Sequence, residues 1–140
     1  MNSTPAVVLA EPDNPLLTYL GIRLGALEAG RCTFELDVEA RHLNRQGSLQ
    51  GGVTATLLDA ACGYAGLQAV ADGRPGNAVT LMLTISYISK VNAGRLRAIA
   101  SVTKAGRSVY FSSGTLLTES GVVVATAQGT FKRSLPTSEA

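Results

Sequence analysis

Between Val53 and about Val70 the chain carries a run that no ordinary surface element would have. Ala55, Leu57, Leu58, Ala60, Ala61, Tyr64, Ala65, Leu67, Ala69 and Val70 point in nearly every direction around a helix axis. Alanine and leucine favour the helix itself. A helix that is apolar on all sides belongs inside something. At under about 20 residues it is a core helix rather than a membrane span. The rest of the chain therefore has to enclose it.

The remaining segments read as strands. Cys32, Phe34, Leu36 and Val38 alternate with Arg31, Thr33, Glu35, Asp37 and Glu39, which is the period of a sheet with one buried face. Residues 22–29 are a weaker strand candidate. Residues 78–89 alternate Val79, Leu81, Leu83, Ile85 and Tyr87 against Thr80, Met82, Thr84 and Ser86. Strands are predicted at 95–103, 107–118 and 122–132. The breaks at Asn92-Ala93-Gly94, Lys104-Ala105-Gly106 and Glu119-Ser120-Gly121 are short enough to demand hairpins and antiparallel pairing. Asp13-Asn14-Pro15, followed by Leu16, Leu17 and Leu20, predicts a short capped helix ending near Gly21. Residues 1–12 and 133–140 read as flexible ends of one domain spanning 1–140. The expected fold class is α+β: about six antiparallel strands wrapped around one long buried helix, with a short N-terminal helix. That is the hotdog arrangement in outline.

Asp59 interrupts the apolar helix. It is the only ionisable residue between Arg45 and Asp72 apart from Cys62 and Tyr64. Burying an unpaired carboxylate costs several kcal/mol, so Asp59 is expected to be hydrogen-bonded, shifted in pKa, or useful. A purely structural acid is the competing reading. Gly51-Gly52 lies where the helix begins. Free amides there, with the positive end of the helix dipole, suit an anion or a developing oxyanion. A tight turn before a helix explains the pair equally well. Eight residues separate Gly51 from Asp59, about 12 Å along a helix. One substrate carbonyl needs both groups at about 3 Å. Two helices running antiparallel across a twofold axis would bring the start of one beside the acid of the other. The chemistry thus predicts a dimer with two composite sites.

The residues around this helix resemble a known family. His42-Leu43-Asn44-Arg45-Gln46-Gly47-Ser48-Leu49-Gln50-Gly51-Gly52, then Leu58-Asp59, is similar to the signature of PaaI-like, phenylacetate-type hotdog thioesterases. That signature reads His-x-Asn-x-x-Gly-x-x-His-Gly-Gly, with an acid eight residues after the first glycine of the pair. The resemblance implies hydrolysis of an acyl-CoA thioester to free acid and CoA. It implies that Asp59 is the catalytic base or nucleophile and that the Gly51 amide polarises the carbonyl. It places Asn44 where water or substrate is positioned, and Thr80 near an assisting hydroxyl. Lys90, Arg107 and Ser108 fall where the family often contacts the CoA nucleotide and phosphates. The sequence holds no metal cluster, phosphate-binding loop or dinucleotide fingerprint, so no metal and no cofactor are expected, CoA being part of the substrate. The expected assembly is the homodimer with composite sites, paired into a dimer of dimers. Gln50 departs from the pattern, standing where the family commonly has histidine. Its amide can orient a carbonyl or water but cannot take up a proton.

Charge and composition narrow the alternatives. Net charge is +2, which implies no global attraction to nucleic acid or membrane. From Gly73 to Thr118 there are six basic residues, Arg74, Lys90, Arg95, Arg97, Lys104 and Arg107, and no acid. They read either as solvated strand faces or as a local phosphate site. Cys32 and Cys62 lack metal-type spacing, and the N-terminus lacks a signal-peptide pattern, so a reducing, cytoplasmic setting is expected. His42 is the only histidine. It is assigned to loop structure, and a Cys62–His42 nucleophilic pair is the minor reading. A hotdog hydratase or dehydratase and a non-catalytic acyl-CoA-binding protein stay open beside the hydrolase.

Overall fold

The computed structural model describes residues 13–67 and 76–134. Helix α1 (Pro15–Leu20) starts at Asn14, whose Oδ1 accepts from the Leu16 and Leu17 amides at 3.2 and 3.3 Å. Pro15 occupies the first turn, where no intrahelical donor is needed. Gly21 ends the helix at φ 81°, a left-handed conformation that costs glycine little. Strands β1 (Arg23–Glu28) and β2 (Arg31–Asp37) form an antiparallel hairpin. A single 3-10 turn at Ala40–His42 leads to helix α2 (Gly51–Ala65). Strands β3 (Asn77–Tyr87), β4 (Arg95–Ala105), β5 (Val109–Thr118) and β6 (Val123–Ser134) follow.

The six strands make one antiparallel sheet in the order β1-β2-β4-β5-β6-β3. Four of the five pairings contain a register shift. Such bulges bend and twist a sheet, which lets this one curl around α2. The concave face supplies Phe34, Leu36, Leu96, Ala98, Ala100, Tyr110, Leu116 and Phe131 to the core, against Leu57, Leu58, Ala61, Cys62 and Ala65 of α2. The α+β hotdog expectation holds.

Several local expectations change. Helix α2 ends at Ala65 with Gly66 as its cap, not near Val70; residues 68–70 lie outside the described residues. Gly66 lies flush against the Tyr110 ring, where a Cβ would collide with the ring carbons. Only one face of α2 is sealed by the sheet. Ala55, Thr56, Asp59, Ala60 and Gly63 are partly exposed on the other. The break at Asn92-Ala93-Gly94 is not a hairpin, because β3 pairs with β6 at the far edge while β4 lies between β2 and β5. Residues 88–94 carry the chain across, tied by Ile88 N–H to Val124 O at 2.9 Å and Leu49 N–H to Val91 O at 2.8 Å. Arg133 and Ser134 belong to β6 rather than to a frayed tail. The expected flexible ends otherwise fall outside the described residues.

Strand β3 departs most from simple alternation. Its register shifts between Thr80 and Met82. Thr80 lies opposite Phe131, Leu83 opposite Gly129, and Ile85 opposite Ala127, so all three share the concave face. The bulge at Leu81 switches the phase. Thr80 thereby turns toward α2, while Val79 and Leu81 stay more than half exposed at the sheet edge.

Candidate active site

The outer face of α2 forms the floor of a cleft of about 450 Å³, walled by α1 on one side and β3 on the other. Asp59 and Thr80 both line it. The Thr80 hydroxyl donates to Asp59 Oδ1 at 2.8 Å. Asp59 is therefore not in the sealed interior its neighbours suggest. It is half-buried on the cleft side, where apolar small residues surround it without closing over it. Among the described residues its second oxygen has no hydrogen-bond partner.

The start of α2 is built for exposure. Gln50 is the N-cap, and its carbonyl accepts from Val53 N–H at 2.9 Å and Thr54 N–H at 3.3 Å. Its side chain makes no capping bond and is exposed. Gly51 and Gly52 occupy the first two helical positions, before the first amides that find helical partners, so their N–H groups have no intrahelical acceptor. The Tyr87 hydroxyl donates to Gly51 O at 2.7 Å and fixes this turn. Sequence reasoning missed Tyr87; nothing in strand alternation distinguishes it from any other exposed tyrosine.

Asn44 organises the approach to the helix. Its Oδ1 accepts from Gln46 N–H at 2.9 Å and Ser48 N–H at 3.1 Å, and its backbone pairs with Ser48 at 2.7 Å. The side-chain oxygen is thus committed to the loop.

His42 is 1 % exposed. Its Nδ1 accepts from Glu39 N–H at 2.9 Å, so Nε2 carries the proton and donates to Leu20 O at 2.7 Å. Both ring nitrogens are occupied by backbone. His42 is structural, as its sequence reading has it, and offers nothing to Cys62 or to a hydratase mechanism. Cys62 is fully buried, and burial with the nearby Asp59 pushes its thiol up to about 12. It stays protonated at neutral pH.

Among the described residues the basic stretch does not gather into one patch. Arg95 is held by Asp37 at 2.9 Å, with Arg23 on the other Asp37 oxygen at 3.1 Å. The Arg95 hydrogen bond holds the Asp37 carboxyl below its ordinary range. Arg97 sits opposite Glu35. Arg74 lies outside the described residues. Lys90 is beside the segment that feeds the start of α2, whereas Arg107 and Ser108 lie in the β4–β5 turn near its end. α2 is about 22 Å long. Lys90 and Arg107 of one chain cannot hold the same phosphate. Among the described residues no group of His, Cys, Asp or Glu side chains could hold a metal ion.

Comparison with known proteins decides the family. The model of the thioesterase superfamily matches residues 46–125, which include the α2 start, Asp59 and Thr80. The chain belongs to the thioesterase superfamily. Within this superfamily it is 38% identical over 80 residues to acyl-coenzyme A thioesterase 13 of Mus musculus, covering 56% of this chain and 55% of that one. It is 37% identical over 93 residues to the same-named protein of Homo sapiens, covering 66% and 64%. The matched segments thus span less than two thirds of the length of these curated relatives. A solved mutant of the phenylacetic acid degradation protein PaaI from Thermus thermophilus superposes with TM-score 0.75 at 29% identity, covering 86% of this chain and all of that one. The resemblance to PaaI-type thioesterases rests on the same fold and the same stretch of chain.

Proposed function

We propose that this protein hydrolyses an acyl-CoA thioester, with Asp59 as the reacting carboxylate and Thr80 as the residue that positions it. The carrying observation is the Thr80–Asp59 hydrogen bond at the floor of a cleft. Thr80 donates to one carboxylate oxygen and so fixes the direction of the other. That other oxygen either takes a proton from water as it attacks the carbonyl carbon, or attacks that carbon itself to form a mixed anhydride that water opens. In both routes the C–S bond breaks, the CoA sulfur leaves as thiolate and gains a proton, and the acyl group ends as free acid. CoA enters as part of the substrate.

The negative charge that develops on the carbonyl oxygen needs donors. The amides of Gly51 and Gly52, without intrahelical acceptors, are suited to it. Eight residues separate Gly51 from Asp59, so one helix cannot present both groups to one carbonyl. A second copy can. Val79, Leu81, Met82, Tyr87 and Ile88 leave the β3 edge apolar and more than half exposed. Such an edge, with unpaired backbone groups, suits pairing with another chain. In a dimer formed there, Gln50 and Gly51 of one protomer serve Asp59 of the other. Lys90 of one and Arg107 with Ser108 of the other are candidates for the CoA phosphates, and further pairing of dimers is part of this reading.

Release of free thiol from acyl-CoA tests the reaction. Asp59→Asn should lower turnover by about 10³-fold, typical of losing the group that moves the proton, with the fold unchanged by circular dichroism. Turnover near that of the parent chain would remove Asp59 from the mechanism. Single turnover in oxygen-18 water separates the two routes, since only attack by Asp59 carries label into the protein carboxylate.

A further inference from the structure

The cleft beside Asp59 has a defined floor and end. Along α2, Ala60 and Gly63 line it with almost no side chain, while Leu17 of α1 and Leu83 of β3 flank it. Tyr64 also lines it and is held rigidly. Its hydroxyl donates to Asp13 Oδ1 at 2.9 Å, and its ring meets Phe34 edge-on with centroids 5.1 Å apart. Next to Tyr64 lies a smaller cavity of about 230 Å³ whose lining turns polar, with Asp13, Asn14 and Asn77. From this geometry we infer that the acyl group lies over Ala60 and Gly63 and stops at Tyr64, so that these residues set its length. This rests on the thioesterase reading and adds the substrate class: short to medium apolar acyl thioesters.

The length follows from the helix. Asp59 and Tyr64 are five residues apart, about 7.5 Å along the axis. With C–C bonds of about 1.5 Å, a zigzag chain of about six carbons fills that distance. Within the trough, each added methylene should raise kcat/KM about fourfold, the factor that corresponds to burying one such group. Beyond Tyr64 the polar lining gives an apolar chain nothing further. The gain should therefore stop near hexanoyl.

The test is a ladder of straight-chain acyl-CoAs from acetyl to dodecanoyl, read by thiol release with the full chain. For the parent protein kcat/KM should climb to about hexanoyl and then level or fall. Ala60→Leu fills the trough and should cut the hexanoyl-to-acetyl ratio of kcat/KM at least tenfold. Tyr64→Ala should move the break to longer chains, whereas Tyr64→Phe, which keeps the ring, should leave it in place. Either variant decides alone if the other does not fold. An Ala60→Leu ratio within about twofold of the parent, or a break unmoved in Tyr64→Ala, overturns the inference and leaves the hydrolase intact. Absence of thiol release from every acyl-CoA removes the hydrolase reading and this inference with it.

Discussion

Thr80 reaches Asp59 because of one extra residue. Without the bulge at Leu81, strict alternation would turn Thr80 away from α2 and leave the carboxylate without its donor. A hydrogen bond to a charged group contributes about 1.5–3 kcal/mol. Thr80→Val keeps the shape and removes the donor. It should lower kcat by about tenfold or more with KM little changed, because the hydroxyl orients the carboxylate rather than the substrate. Steady-state kinetics on one acyl-CoA checks this; a change confined to KM would assign Thr80 to substrate binding instead. The strand alternation in the sequence put Thr80 opposite the apolar set, and only pairing with β6 shows otherwise. Asp59, by contrast, was legible from its isolation among apolar neighbours. Its exposure was not, since burial depends on what covers the outer face of α2.

The C-terminus of α2 shows how elements fasten to one another. Tyr110 of β5 donates its hydroxyl to Gly63 O at 2.5 Å. Arg133 of β6 donates to Gly66 O at 3.0 and 3.2 Å, and its guanidinium lies 4.7 Å from the Tyr110 ring centroid. Tyr110 adds a second donor to the Gly63 carbonyl, which already accepts from the Gly66 amide at 3.2 Å, while Arg133 takes up the Gly66 carbonyl, and its cation suits the negative end of the helix dipole. Arg133→Gln should cost about 1–2 kcal/mol of stability, seen as a lower urea midpoint with unchanged slope. An unaltered midpoint would make the contact ornamental. The strand register was readable around Cys32, Phe34 and Leu36, where one face is fully buried. It was unreadable at 133, where a charged residue near the chain end looks like tail until the helix it caps is in view.

For the molecule as a whole, the proposed composite site makes a prediction about mixtures. Gly51 is the first residue of α2, and Gln50 before it has ψ 135°. Proline fits that position in a helix and that preceding conformation. Gly51→Pro should therefore fold while losing the amide proposed to hold the carbonyl oxygen. Alone, it and Asp59→Asn should each be nearly inactive. Co-expressed, they should regain activity, because a mixed dimer holds one site with both Asp59 and the Gly51 amide intact. No recovery from isolated mixed dimers would place both groups' action within one chain.

Alkaline stability is a second property of the assembled core. Burial raises Cys62 from 9.0, and Tyr64 and Tyr110 from 10.0, each to about 12, and raises Cys32 further still. The unfolded chain ionises these groups first. Their contribution is intact below pH 9 and is lost as pH rises from there toward 12. Urea midpoints should hold level up to about pH 8 and fall above about pH 9. A midpoint that rises across that range would contradict the burial of these groups.

The amino-acid order alone indicated the fold class, the long central helix and the capped first helix, and it singled out Asp59 and Gly51-Gly52 as candidates for the site. Each is written locally, in periodicity, capping residues or a stretch of motif. The tertiary structure decided that α2 stops at Gly66, that β3 pairs with β6, that Thr80 faces Asp59 and that His42 is spent on backbone. Those outcomes depend on contacts between residues far apart in the chain: a tyrosine ring against a glycine, a bulge that shifts a strand's phase, a histidine bridging Leu20 and Glu39. Local pattern says which face of an element is apolar, but the element that covers that face is fixed only when the whole chain packs.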